Sequence, residues 1–117
     1  MDHKPVVIFA FRGDPMCFIH VLLNALDLNQ KGRGGRIILE GETVSLVDQM
    51  RQPGSFLNPL YTQAKDAEII AGACKACSAK LGAEAAITEE GIPLIGEMSG
   101  HPAMSEYLDQ GYDVITF

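Results

Sequence analysis

Two cysteines three residues apart provide the most reactive chemistry in this 117-residue chain. Cys74 and Cys77 lie between an apolar run at 69–71 and an alanine-rich stretch that is typical of a helix. A strand that leads into a helix through Cys-x-x-Cys puts the first thiol beside the unpaired amides of the helix amino end. Those amides and the neighbouring Lys75 favour negative charge, so we expect a lowered pKa for Cys74 and a solvent-facing thiolate nucleophile.

The second cysteine allows two interpretations. Cys77 follows Cys74 by about one helical turn, so it could resolve a disulfide or persulfide formed there. Free cysteines are also common as small buried hydrophobic residues, and either thiol could simply pack in the core. The spacing alone does not choose between these roles.

Further candidates lie in two other segments. Arg12 and Cys17 flank the predicted start of the first helix, where backbone amides could hold a small anion and lower the pKa of a thiol. Cys17 could equally pack, and His20, three residues later, is more typical of a half-buried histidine than of a base. His101 lies in a loop between a glycine and a proline, where a functional role is a reasonable hypothesis.

Alternating apolar patterns predict the elements that must position these side chains. Five runs are typical of strands, at 6–11, 36–39, 69–73, 91–95 and 112–117, and the first is apolar throughout. Helices are predicted between them, at 15–31, 43–50, 58–66, 76–81, 83–90 and 99–110. This alternation predicts an α/β fold, a three-layer α/β/α sandwich with a five-stranded, mainly parallel sheet.

The carboxyl ends of parallel strands meet at one edge of the sheet, where ligand sites form. Segments 12–17, 74–77 and 97–102 all follow predicted strands. We therefore expect all three cysteines and His101 to lie at that edge.

Composition narrows the class of protein. A net charge of -6 without a basic cluster argues against nucleic acid and anionic membranes as partners. The longest apolar run, 6–11, is far shorter than the roughly 20 residues that span a bilayer, and no signal-peptide pattern opens the chain. We expect a single domain, 1–117, in the reducing cytoplasm, since three cysteines in a domain of this size need not form disulfides.

Two other interpretations of Cys-x-x-Cys deserve comparison. A thioredoxin-like domain carries the motif after an early strand, whereas here it lies in the second half of the chain. A zinc site would use Cys74, Cys77 and His101, with Cys17 or His20 as the fourth ligand. No nucleotide fingerprint is present, and the leading interpretation requires no cofactor.

The residues around Cys74 resemble those of a known family. Ala73-Cys74 followed by Ala76, Lys80 and Gly82 is similar to the DsrE/DsrF-like family, which includes sulfur-relay proteins related to TusD. The resemblance implies that Cys74 carries persulfide sulfur, that the fold is an α/β/α sandwich, and that the chain forms trimers or hexamers. Cys77 departs from the family pattern, in which relay members tend to have alanine.

Together with the reactive-thiol pattern, this resemblance implies a cytosolic sulfur-handling protein. It would be a persulfide carrier or sulfurtransferase that exchanges sulfur with donor and acceptor proteins or thiols. Cys74, Cys77 and Lys75 would form its catalytic set, and Arg12, Cys17 and His101 would contribute to binding. The alternative is a non-catalytic oligomeric binding or scaffold protein of the same fold, with or without a Cys/His metal site.

Overall fold

The computed structural model describes residues 3–117. Its strands are β1 (Val6–Ala10), β2 (Arg36–Leu39), β3 (Ile70–Cys74), β4 (Leu94–Ile95) and β5 (Asp113–Thr116). Its helices are α1 (Pro15–Gln30), α2 (Leu46–Met50), α3 (Asn58–Asp66), α4 (Lys75–Lys80), α5 (Glu84–Glu89) and α6 (Met104–Asp109). A 3-10 helix at Gly41–Ser45 leads into α2.

The five strands form one parallel sheet in the order β4-β3-β2-β1-β5. The predicted α/β class and five-stranded parallel sheet are therefore confirmed. β1 lies inside the sheet and all five of its residues are buried, because helices cover both faces. β4, with Pro93 just before it, is an edge strand, which agrees with the missing N–H of proline.

The two faces of the sheet are covered unequally. On one face, alternate residues of β1 such as Ile8 pack with Phe18 and Leu22 of α1 and with Tyr61 of α3 in the larger core. On the other face, a smaller cluster centred on Phe9 packs against α6 and the residues next to it. The sandwich thus has a thick layer of five helices and a thin layer built from α6.

The first helix follows the sequence pattern closely. Asp14 caps it by accepting a hydrogen bond from the Met16 amide at 2.8 Å, and Pro15 occupies its first turn. It ends at Gln30, one residue before the predicted end, and Gly32 turns the chain with a φ of +74°.

The structure differs from the predicted bounds mainly near the carboxyl edge of the sheet. β3 continues through Cys74, so this cysteine is both the last residue of the strand and the cap of α4. α6 begins at Met104 rather than residue 99, because Ser99 and Gly100 have positive φ values that a right-handed helix excludes. Asn58 is the first residue of α3, and its side chain donates to the Met50 carbonyl.

Across residues 3–117, none of the helices has both the length and the apolar character needed to cross a bilayer.

Candidate functional site

Four side chains with metal-binding or nucleophilic atoms converge where β2, β3 and β4 end. Glu40 directly follows β2, Cys74 ends β3, Cys77 lies in the first turn of α4, and His101 is in the loop after β4. Their ligand atoms all lie within 4.8 Å of one another. We call these four residues the edge cluster. The predicted proximity of Cys74, Cys77 and His101 is confirmed.

Cys74 lies at the centre of the edge cluster and is fully buried, with an exposed fraction of 0%. Its Sγ accepts a hydrogen bond from the Cys77 amide at 3.4 Å and lies 3.1 Å from Nδ1 of His101. The thiol also faces the carbonyl oxygen of Gly100 at 3.7 Å. The prediction of a solvent-facing sulfur is therefore wrong, because the loop that carries His101 folds over it.

The electrostatics of Cys74 also differ from the prediction. The pKa of its thiol is raised to about 12, first by burial and then by the neighbouring Cys77 and Glu40 side chains. The hydrogen bond from the Cys77 amide lowers this pKa, as the helix-terminus argument requires, but it is outweighed. The expectation of a lowered pKa is therefore wrong for the Cys74 thiol.

Glu40 was not recognised from the sequence, where it resembles part of a turn. Its side chain is buried, and burial raises the pKa of the carboxyl group against the opposing effects of Cys74 and His101. Its Oε1 lies 3.9 Å from Nδ1 of His101. One signal was available: a polar residue directly after a buried parallel strand lies at the edge where sites form.

A buried hydroxyl fixes the backbone at Glu40. Oγ1 of Thr43 lies 2.8 Å from the carbonyl oxygen of Ala10 and 2.7 Å from that of Glu40. The Glu40 amide in turn donates to the Ala10 carbonyl. The end of β1 thereby holds the start of the turn that carries the carboxylate.

A tight turn positions His101. Met98 and His101 exchange backbone hydrogen bonds at 2.9 Å, and the two residues between them, Ser99 and Gly100, have φ values of 51° and 92°. Both central residues of a type I′ turn have positive φ, which glycine adopts easily. The Gly100 carbonyl accepts from the Ala76 amide at 2.8 Å, so this turn is fastened directly to α4.

Cys77 and Lys75 differ in their relation to the cluster. Cys77 is half-buried, packs against the larger core and also belongs to the edge cluster, so its two predicted roles are compatible. Lys75 is exposed, and its ammonium makes no ion pair with any residue in the range 3–117. Its predicted catalytic contribution has no contact to support it.

The remaining candidates follow β1 at the same edge of the sheet but lie outside the edge cluster. Cys17, His20 and Arg12 line a cleft of about 310 Å³ together with Phe117, beside the ends of β1 and β5. Neither Cys17 nor His20 belongs to the edge cluster. The predicted use of one of them as a fourth zinc ligand is therefore wrong, because the fourth side chain grouped with Cys74, Cys77 and His101 is Glu40.

Comparison with known proteins gives relatives but no established activity. The chain is 31% identical over 97 residues to the uncharacterized protein MJ0733 of Methanocaldococcus jannaschii, covering 83% of this chain and 77% of that protein. It is 38% identical over 61 residues to an uncharacterized protein of Archaeoglobus fulgidus, covering 52% of this chain and 98% of the relative. No family model matches the chain, so its resemblance to the DsrE/DsrF-like family stays a prediction.

A solved structure shares the fold. The conserved protein of unknown function BT1422 from Bacteroides thetaiotaomicron superposes with a TM-score of 0.65 over 95% of this chain and 93% of that one. Its sequence is 22% identical, so the likeness concerns the fold alone. MJ0733 is more similar to this chain in sequence than BT1422 is, and its match covers most of both chains. On that basis this chain belongs to the family of MJ0733.

Proposed function

We propose that this protein handles sulfane sulfur through the paired thiols of Cys74 and Cys77. One observation carries the proposal: a buried thiol lies 3.1 Å from an imidazole nitrogen, with the thiol of a second, half-buried cysteine in the same cluster. Such an arrangement offers a nucleophile, a proton acceptor and an accessible first contact. The resemblance to the DsrE/DsrF-like family supports the same chemistry.

The difference in burial between the two cysteines indicates the order in which their thiols receive sulfur. Cys74 has no exposed surface, whereas Cys77 is half-buried, so an incoming donor would meet Cys77 first. The Cys77 thiolate attacks the outer sulfur of a donor persulfide. A sulfur–sulfur bond forms on Cys77 while the donor's own bond breaks, and the donor leaves as a thiolate that takes up a proton.

The sulfur then moves inward to Cys74. His101 Nδ1 accepts the Cys74 thiol proton as Sγ attacks the outer sulfur on Cys77, and Cys77 leaves as a thiolate. Each transfer makes and breaks one sulfur–sulfur bond, so no net oxidant or reductant is needed. The resulting Cys74 persulfide is shielded from water until an acceptor thiol removes its outer sulfur.

The proposal extends to partners and cellular location. The donor and acceptor would be proteins or low-molecular-weight thiols, and the protein would act as a carrier or sulfurtransferase in the cytoplasm. Assembly into a homotrimer or homohexamer is proposed from the family resemblance.

Persulfide labelling tests this function. Reduced protein, freed of metal with a chelator, is incubated with glutathione persulfide, and persulfides are trapped by alkylation and located by mass spectrometry. We expect one added sulfur on Cys74 in the parent and in Cys17→Ser, which changes a thiol outside the edge cluster. Cys77→Ser should label Cys74 more slowly, and Cys74→Ser should hold sulfur only on Cys77.

Equal labelling of the parent and of Cys74→Ser/Cys77→Ser would refute the proposal. Slow alkylation of all three cysteines together with no persulfide would favour the non-catalytic binding or scaffold protein instead.

A further inference from the structure

We propose that Glu40, Cys74, Cys77 and His101 bind one zinc-class divalent ion. The proposal concerns the metal chemistry of these four side chains and does not depend on sulfur transfer. Two sulfurs, one imidazole nitrogen and one carboxylate oxygen are all established ligand types for Zn²⁺. From the sequence alone, a zinc site needed a fourth ligand from a distant segment of the chain, whereas the structure places Glu40 next to the other three ligands.

The spacing of the four atoms suits tetrahedral coordination. Bond lengths of about 2.3 Å to sulfur and 2.0–2.1 Å to nitrogen or oxygen imply ligand–ligand separations of roughly 3.3–3.8 Å. The four ligand atoms lie within 4.8 Å of one another without an ion, and Sγ of Cys74 is 3.1 Å from Nδ1 of His101. Binding therefore requires side-chain shifts of roughly 1 Å and no rearrangement of the strands.

The charges at the site favour a cation. The Glu40 side chain is nine-tenths buried, and the only basic group within 4 Å of its carboxylate among residues 3–117 is the imidazole of His101, at 3.9 Å. Cys74, a second group that is anionic when deprotonated, is buried beside it. Buried charges in proteins are paired or coordinate metals, and no Lys or Arg in the described part of the chain forms an ion pair with Glu40.

The surrounding backbone holds the ligands in place. Thr43 fixes the turn at Glu40, and the buried Ser78 hydroxyl donates to the Cys74 carbonyl at 2.7 Å. The Gly100 carbonyl is tied to α4 by the Ala76 amide, which fixes the turn before His101. Supporting contacts of this kind orient metal ligands and strengthen binding.

The ion would reach the cluster from the side of its two less buried ligands. The His101 side chain is 44% exposed and Cys77 is half-buried, while Cys74 and Glu40 form the floor. On binding, the two thiols release their protons to solvent and the metal takes the vacated electron pairs, so no redox change occurs. A sulfane sulfur on Cys74 would compete for the same electron pair.

Cobalt titration tests the metal site. Reduced, chelator-treated full-length protein is titrated with Co²⁺ in the absence of any persulfide, followed by displacement with Zn²⁺. We expect one Co²⁺ per chain, visible absorption bands of tetrahedral cobalt, and a thiolate-to-cobalt charge-transfer band that zinc abolishes. Cys17→Ser should bind like the parent.

Two variants identify the ligands. Cys77→Ser should lose a large part of the charge-transfer intensity, because one of two thiolate bonds is gone. Glu40→Gln keeps the size of the side chain but loses its charge, and it should weaken zinc binding by at least about 10-fold, the lower end of what losing even a supporting contact costs. Circular dichroism of each variant confirms that it is folded.

The proposal is overturned if the folded parent shows no charge-transfer band, or if it binds zinc no more tightly than Cys74→Ser/Cys77→Ser. Because the titration uses no persulfide and the labelling experiment uses no metal, either proposal can fail while the other stands.

Discussion

Replacing Gly100 with alanine tests whether the backbone conformation and the close packing of the turn before His101 require glycine. Gly100 has a φ of +92°, and a Cβ there would lie 3.2 Å from the Cβ of Ala76. The left-handed backbone costs an L-residue about 1–2 kcal/mol, and close packing against α4 adds about 1 kcal/mol. Stiffening of the unfolded chain offsets about 0.4–1 kcal/mol, so we expect a net loss of about 1–2.5 kcal/mol in the free energy of unfolding.

Urea denaturation of Gly100→Ala measures this loss directly, and a melting temperature lower by about 4 °C per kcal/mol should accompany it. Gly54→Ala is the matched control, because Gly54 has an ordinary φ and a Cβ there meets nothing within 4 Å. The control should be neutral or more stable by up to about 1 kcal/mol. If Gly100→Ala lies within about 0.5 kcal/mol of the parent, the range of ordinary surface substitutions, the reasoning is wrong.

A second substitution separates the two causes. Ala76→Gly removes the Cβ that crowds position 100, so Gly100→Ala/Ala76→Gly should recover the packing part of the loss but not the backbone part. Ala76→Gly alone provides the reference, since glycine in a helix costs about 0.5–1 kcal/mol by itself. A double variant that is no better than the sum of the single variants would show that the contact with α4 is unimportant.

Three further predictions follow from other buried contacts. Thr43→Val keeps the side-chain shape but removes the hydroxyl, so it should cost about 1 kcal/mol in urea denaturation, while Thr43→Ser should cost less if the hydroxyl is responsible. The Tyr61 hydroxyl donates a hydrogen bond to the Glu90 carboxylate at 2.6 Å. Burial alone would raise the pKa of Glu90, but this hydrogen bond and the nearby Lys65 ammonium outweigh burial and lower the pKa below 4.5. That stabilisation is present above pH 4.5 and is lost as pH falls through the lowered pKa, so Tyr61→Phe should be less stable at pH 7 and converge on the parent in acid. Finally, iodoacetamide should modify Cys77 much faster than the buried Cys74; equal rates at neutral pH would contradict the burial of the inner thiol.

The fold was predictable because its signals are local. The five consecutive apolar residues of β1 indicate a strand covered on both faces, and Asp14-Pro15 followed by periodic apolar residues indicates α1. The order of the strands was not predicted, and that order decides which residues meet. β2 lies between β1 and β3, so the ends of β1 and β3 are about 10 Å apart across the sheet.

This distance between strand ends explains why Glu40 was missed as a candidate zinc ligand and why Cys17 was wrongly predicted to be one. Cys17 follows β1, two strands away from Cys74, whereas Glu40 follows β2, the immediate neighbour of β3. All three residues lie at the predicted edge, but only adjacent strands bring side chains into contact. The thiol pKa was predicted from the helix terminus alone, whereas the effects that outweigh it come first from burial, then from the Cys77 side chain, and last from Glu40, 34 positions earlier in the chain.

Glu40 is also the residue that separates the two proposed chemistries. A carboxylate beside a thiolate opposes ionisation of the thiol, so a pure sulfur carrier gains nothing from placing a buried glutamate next to its nucleophile. A cation site gains a ligand and a neutralising charge from the same residue. Glu40→Gln should therefore weaken zinc binding while it speeds persulfide formation on Cys74, because the substitution removes the repulsion from the attacking thiolate. Opposite changes in the two measurements would show that one cluster serves both chemistries, and a decline in sulfur labelling would show that the carboxylate assists the thiol after all.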